Sequence, residues 1–298
     1  MATERVIGNV HSAFRKVLNI STPHGRLISV SCQGVPMLTS NIETSQPFEQ
    51  GFPAAFVNGT EVCRSGDSLY LDGLTVSGLS LARPFAPRNW AELRLATTVQ
   101  VKHALARTAD QAIDIVGTRG LAVLIPALRN GPPLALGNVH FDTPFDGSIA
   151  QHLSRLAKEL YGGEEPLTSR QLIGLGPGLT PSGDDVLAGL ITSLHATCRA
   201  HGRLPSYNLQ ALTRIATEGK GKTTLISYEM LRHAARGHMT EAAESVIAGV
   251  LQGEDCRTAL ALMAQYGATS GLDQLIGILL GIQLFYCLDE SQLATNVD

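Results

Sequence analysis

Two segments of this 298-residue chain set hydroxyls and carboxylates directly after glycines, each at the head of an apolar stretch with helical spacing. The first, GLGPGLTPSGDDVLAGL, runs from Gly174 to Leu190. Alternate glycines let a backbone turn sharply and approach a ligand closely. Amides there and at a helix N-terminus form a ready anion site. Gly176, Gly178 and Gly183, with the hydroxyls of Thr180 and Ser182, are therefore candidates for holding a phosphate or a carboxylate. The purely structural account reads Thr180 as the N-cap and Pro181 as the first helical residue. It leaves the preceding glycines unexplained. Asp184 and Asp185 are the candidate catalytic residues; about 100° separates neighbours on a helix, so only one of them can point fully into a shared cleft. That one can take a substrate N–H, hold Mg²⁺ through water or act as a base.

The second segment, GATSGLDQLIG from Gly267 to Gly277, repeats the grammar. Thr269 or Ser270 can cap, Gly271 follows, and Asp273 falls in the first turn. Two such helix starts can converge on one ligand. A third stretch, GKGKTTLIS from Gly219 to Ser227, has the look of a Walker A loop, but the spacing requires glycine where Ala216 stands. Its Thr223, Thr224 and Ser227 remain candidate hydroxyl donors to the cleft. Among the histidines no metal pattern emerges, and no metal or cofactor is indicated, although Mg²⁺ is compatible with the paired aspartates. His11, in NVHSAFRKVLN, is the one histidine kept as a possible site residue. Ser182 lacks the flanking glycines of a nucleophile elbow, having Thr180 and Asp184 there.

These groups need elements to position them. Residues before about 140 read mostly as strands: Arg26 to Cys32, Ala54 to Arg64 and Ser68 to Leu81, with Asp72-Gly73 as a hairpin turn. A helical stretch is predicted from about Asn89 to Ile115. Gly120 to Leu128 fits a strand or a buried helical turn equally. Helices follow near 148–161, 181–201, 207–218, 222–236, 239–252, 255–266 and 270–288, several ending at a glycine such as Gly202, Gly237, Gly253 or Gly267. The expectation is an α+β protein, with a β-rich domain over 1–140 carrying one long helix and an all-helical domain over 141–298 bearing the glycine-rich motif.

Hydrophobic residues make up 44% and charged residues 16%, enough for a substantial core. A net charge of −3 argues against a general nucleic-acid or membrane-surface binder, which needs a large basic field. Five scattered cysteines without CxxC spacing read as buried reduced thiols in a cytoplasmic protein. The N-terminal stretch lacks an apolar h-region, so no signal peptide is expected. The apolar run Leu275 to Leu288 is short for a membrane span and reads as a buried helix.

The central motif, with GATSGLDQLIGILLG about eighty residues later and TTLISYEMLRHAARG between them, resembles a bacterial family catalogued as domains of unknown function. That family includes the AllH-type subunit of oxamate carbamoyltransferase; GNVHSAFRKVLNI matches it loosely near the N-terminus. The resemblance implies a carbamoyltransferase subunit working with other subunits on a small anionic substrate such as carbamoyl phosphate or oxamate, in allantoin degradation. The chemistry implied is oxalurate plus phosphate giving oxamate plus carbamoyl phosphate. Two other readings stay open from the residues alone: a non-catalytic carboxylate-binding or scaffold subunit, and a Mg²⁺-dependent phosphotransfer enzyme.

Overall fold

The computed structural model describes residues 5–35, 40–46, 51–52, 58–82, 86–117, 119–128, 136 and 139–294. The chain is α+β and divides into two compact units, Met1–Pro87 and Arg88–Asp298. The boundary expected near 140 falls inside the second unit. The reason is packing: the long helix before it docks on the helical body, where the Ala96 amide donates to Leu251 O at 2.9 Å and Arg107 donates to Gly253 O at 2.9 Å.

The first unit holds one seven-stranded sheet: β1 (Arg5–Ala13), β2 (Val17–Ser21), β3 (Leu27–Ser31), β4 (Asn41–Glu43), β5 (Glu61–Ser65), β6 (Ser68–Leu71) and β7 (Leu74–Ser77). Their spatial order is β4-β3-β2-β1-β5-β6-β7, and every pair is antiparallel except β3 with β4. One face carries the core, built from Val10, Leu18, Ile20, Val30, Val62, Leu69 and Leu71 with Phe52. Asp72 and Gly73 make the expected hairpin turn at φ 27° and 82°. The expected strand from Ala54 is described only at its end, as β5; residues 53–57 lie outside the described ones. Strands β1, β2 and β4 were not legible. The central β1 has register shifts between Val6 and Gly8 and between Val10 and Ser12, and a bulge breaks the alternation that marks a strand. His11 is the residue at the second bulge, its Nδ1 3.2 Å from the Ser12 hydroxyl.

The second unit contains α1 (Thr98–Val116), α2 (Ile125–Leu128), α3 (Pro144–Tyr161), α4 (Ser169–Leu172), α5 (Ser182–Ala200), α6 (Tyr207–Thr217), α7 (Leu225–Ala234), α8 (Glu241–Gln252), α9 (Arg257–Met263) and α10 (Ser270–Ala294). Gly120–Leu124 forms a 3-10 turn running into α2, so the ambiguous apolar run is helical. Capping boxes start α1 at Thr97 and α3 at Thr143.

The centre of this unit is the α5–α10 pair, from which side chains on nearly all faces are buried. A Cβ on Gly189 would lie 2.0 Å from Gln274 O, one on Gly277 2.0 Å from Val186 O, and one on Gly281 2.1 Å from Ser193 Oγ. The two backbones therefore touch through glycines. The contacts advance together along both helices, so α5 and α10 run parallel with their N-termini at the same end. By length and composition alone Ser270–Leu288 is apolar enough to cross a membrane, but 83% of that stretch is buried within the unit. Parallel helix dipoles repel, and carboxylates at the paired N-termini offset that. Asp184, Asp185 and Asp273 stand there.

Candidate functional site

The glycine turn is shaped by backbone crowding at three points. A Cβ on Gly174 would lie 2.3 Å from Lys222 O, one on Gly183 2.2 Å from Leu172 O, and one on Gly176 2.9 Å from Ser182 N. Gly178 differs: its φ is 97° and nothing lies within 4 Å of where its side chain would begin. The turn is open to solvent there. Among the described residues, the amides of Gly178, Leu179 and Thr180 donate to no backbone acceptor.

Thr180 is not the N-cap that the sequence predicted. Helix α5 begins at Ser182 after Pro181, and no side chain caps it. The amide that Thr180 would have capped, that of Gly183, donates instead to Leu175 O at 2.9 Å. The Thr180 hydroxyl is thereby released and meets the Ser270 hydroxyl at 2.7 Å, joining the two helix starts.

The two aspartates separate as helical geometry requires. Asp184 faces the turn. Its Oδ1 accepts the Gly174 amide at 2.9 Å and its Oδ2 accepts the Thr223 hydroxyl at 2.5 Å. Burial raises its pKa, and Thr223, Gly174 and the buried Ser227 hydroxyl oppose the rise. Thr224 donates to Leu179 O at 2.5 Å while capping α7 through the Ser227 amide. Thr223, Thr224 and Ser227 thus stand behind the turn and brace it.

Asp185 faces the other way, toward α10. It is 0% exposed, and its Oδ1 accepts from Gln274 Nε2 at 2.9 Å. Asp273, 2% exposed, lies close enough for the two carboxyls to sense each other's charge. Burial pushes Asp185 well above the usual carboxylate range and the charge of Asp273 adds to this, while Gln274, Ser270 and Thr180 oppose it. Burial likewise lifts Asp273 to about 6, against Ser182 and Thr269. No basic side chain contributes to either shift. The Oδ2 atoms of both Asp185 and Asp273 are buried and accept no hydrogen bond. Gly271 sits where any side chain would strike Met263 O, at 1.9 Å, so it shapes the start of α10. The half-buried Tyr266 phenol is raised by burial and by Asp185.

Thr180, Ser182, Asp185, Thr269, Ser270 and Asp273 are therefore one cluster at two helix N-termini. Thr223, Thr224, Ser227 and Asp184 form its support. His11 belongs to the other unit. Sequence reading missed Gln274, whose only signal is an amide at the head of an otherwise apolar run, and Tyr266, which gave none. Among the described residues, no group of three or more His, Cys, Asp or Glu side chains is gathered where it could hold a metal ion. His195 is accounted for by the fold: it bonds the Thr213 hydroxyl at 3.0 Å, and burial, with Arg199 and His238, lowers its pKa to about 4.

Comparison with known families adds two matches. The model for oxamate carbamoyltransferase subunit AllH matches residues 172–282, which begin at the glycine turn and end inside α10. The model for the AllH family N-terminal domain matches residues 1–83, the sheet unit. No solved structure matches the chain.

Proposed function

The chain belongs to the AllH family of oxamate carbamoyltransferase subunits, and from that premise we propose that its Asp185–Asp273 cluster binds the carbamoyl-bearing substrate. The observation that carries this reading is the pair of buried Oδ2 atoms without hydrogen bonds, ringed by four hydroxyls. Buried polar atoms left unpaired are costly, and an amide, with an N–H donor and a carbonyl acceptor side by side, satisfies them. An oxamate or oxalurate molecule offers such N–H groups at one end and a carboxylate at the other. The amides of Gly178 to Thr180 and the positive ends of α5 and α10 suit the anionic end. Thr180 and Ser182 add donors.

The chemistry follows from the charge states. A phosphate oxygen bonds to the carbamoyl carbon of oxalurate, and the carbon–nitrogen bond breaks with its electron pair leaving on the oxamate nitrogen. That nitrogen takes a proton, and hydrogen phosphate gives one up. Asp185, whose ionisation burial opposes, supplies the first, and Asp273 accepts the second. Fixed amides and helix ends stabilise the oxyanion of the tetrahedral adduct.

The test is a thermal-shift titration of the full chain with phosphate, carbamoyl phosphate and oxamate, repeated on Asp185→Asn and Asp273→Asn. A ligand bound only by the folded state raises the melting temperature. The reading expects stabilisation by oxamate or carbamoyl phosphate in the wild type and its loss in both variants. Equal stabilisation in all three proteins would place the ligand elsewhere.

A further inference from the structure

Gln274 lies at the contact of the two central helices, 1% exposed, between the carboxyl of Asp185 and the sulfur of Met230. Its Nε2 is 2.9 Å from Asp185 Oδ1 and 3.4 Å from Met230 Sδ. Both neighbours are acceptors, so the nitrogen end of the amide must face them and both of its hydrogens are engaged. Oδ1 of Asp185 is thus held as an acceptor. A proton on this carboxyl is directed to Oδ2, the atom that accepts no hydrogen bond. Asp273, the residue before Gln274 on α10, offers its own unpaired Oδ2.

We propose that Gln274 is a positioning residue: by pinning Oδ1 of Asp185 it aims the carboxyl proton from Oδ2 beside the acceptor oxygen of Asp273, so that the pair presents one donor and one acceptor matched to the edge of a primary amide. This rests on the reading of the cluster as the substrate site. A primary amide presents a carbonyl acceptor and an N–H donor on the same side, the complement of a carboxyl–carboxylate pair. A carboxylate in the same place presents two acceptors and meets the charge of Asp273 head on. The pair therefore discriminates an amide from the acid of the same shape, which is the distinction between oxamate and oxalate. Discrimination of this kind is large because the wrong ligand leaves buried polar groups unpaired.

The groups around the pair favour one shared proton. On α5, Asp184 is tied to Gly174 and Thr223. From the start of α3, Asp146 adds a negative charge against Asp273. The Tyr266 phenol senses the charge of Asp185. With no cation among these groups, ionising both carboxyls together is opposed from every side.

Two measurements on the full chain test the proposal. Carbon-13 NMR of aspartate carboxyls, assigned with Asp185→Asn and Asp273→Asn, follows the pair through pH. Calorimetry compares oxamate with oxalate in the wild type and in Gln274→Leu. The expected result is an Asp185 carboxyl still protonated at pH 7, preference for oxamate in the wild type, and a preference at least tenfold smaller in Gln274→Leu. Asp185 ionised at pH 7, or an unchanged preference in Gln274→Leu, would overturn the role of Gln274. If neither ligand binds while Asp185 remains protonated, the match to an amide fails together with the substrate-site reading, and the proton assignment stands. If Gln274→Leu does not fold, the wild-type titration and the wild-type preference still decide.

Discussion

Asp184 and Asp185 are adjacent and identical in type, and the fold gives them opposite tasks. Asp184 spends both oxygens on the Gly174 amide and the Thr223 hydroxyl, so it fastens the glycine turn to the α6–α7 connection. Asp184→Ala leaves those donors without their acceptor, and hydrogen bonds to a charged group are worth about 1.5–3 kcal/mol. Urea unfolding should show a loss of that size. Asp273 makes a contribution that depends on pH. Its folded pKa lies above its ordinary value of 3.8, at about 6, so the folded state binds more protons across that window. The stabilisation it contributes is complete below 3.8 and is lost as pH rises through about 6. Asp273→Asn removes that loss. Relative to wild type, the variant should gain about 3 kcal/mol between pH 4 and pH 8, read as the difference between denaturation curves; a pH-independent difference would contradict it. The sequence showed that only one aspartate of the pair could face the cleft. It could not show which, because the deciding partners, Gly174 and Thr223, come from segments that only the folded chain brings together.

At the scale of elements, the carboxyl and hydroxyl cluster exists because two parallel helices start side by side, and they do so because glycines let their backbones touch. Gly189→Ala or Gly277→Ala would drive a methyl into backbone 2.0 Å away. Each should destabilise the protein by about 3 kcal/mol, the upper range for overpacking, and displace the Asp185–Gln274 contact. Gly178→Ala meets open space and only the strain of φ 97°, so a cost of about 1 kcal/mol is expected. Thermal melts of the three variants check this order. The helices of the second unit were largely legible, because apolar spacing and glycine stops are local: α8 ends at Gly253 in the left-handed conformation. The sheet was half legible. The hairpin at Asp72-Gly73 announced itself, whereas β1 did not, since its bulges and polar Asn9, His11 and Ser12 hide the alternation. The cap at Thr180 was misread for a similar reason. Its local grammar is a helix start, and the competing acceptor, Leu175 O, becomes available only through the turn at Gly176.

At the scale of the whole molecule, a sheet unit and a helical unit each match a part of the same family, and the candidate cluster lies entirely within the helical one. The resemblance in GLGPGLTPSGDDVLAGL pointed to that family, and the fold explains why the motif is long: its residues do two jobs, bracing a turn and lining a pair of helix ends. A subunit that contributes substrate-binding carboxyls, and does more than hold its partners together, must lose chemistry when they are altered. The most direct measurement is carbamoyl transfer by the complete enzyme assembled with Asp185→Asn, alongside the mass of the assembled complex. The account predicts an intact complex with turnover reduced at least a hundredfold, the range lost when a positioned proton-transfer group is removed. An intact complex with unchanged turnover would contradict it and leave this chain a scaffold.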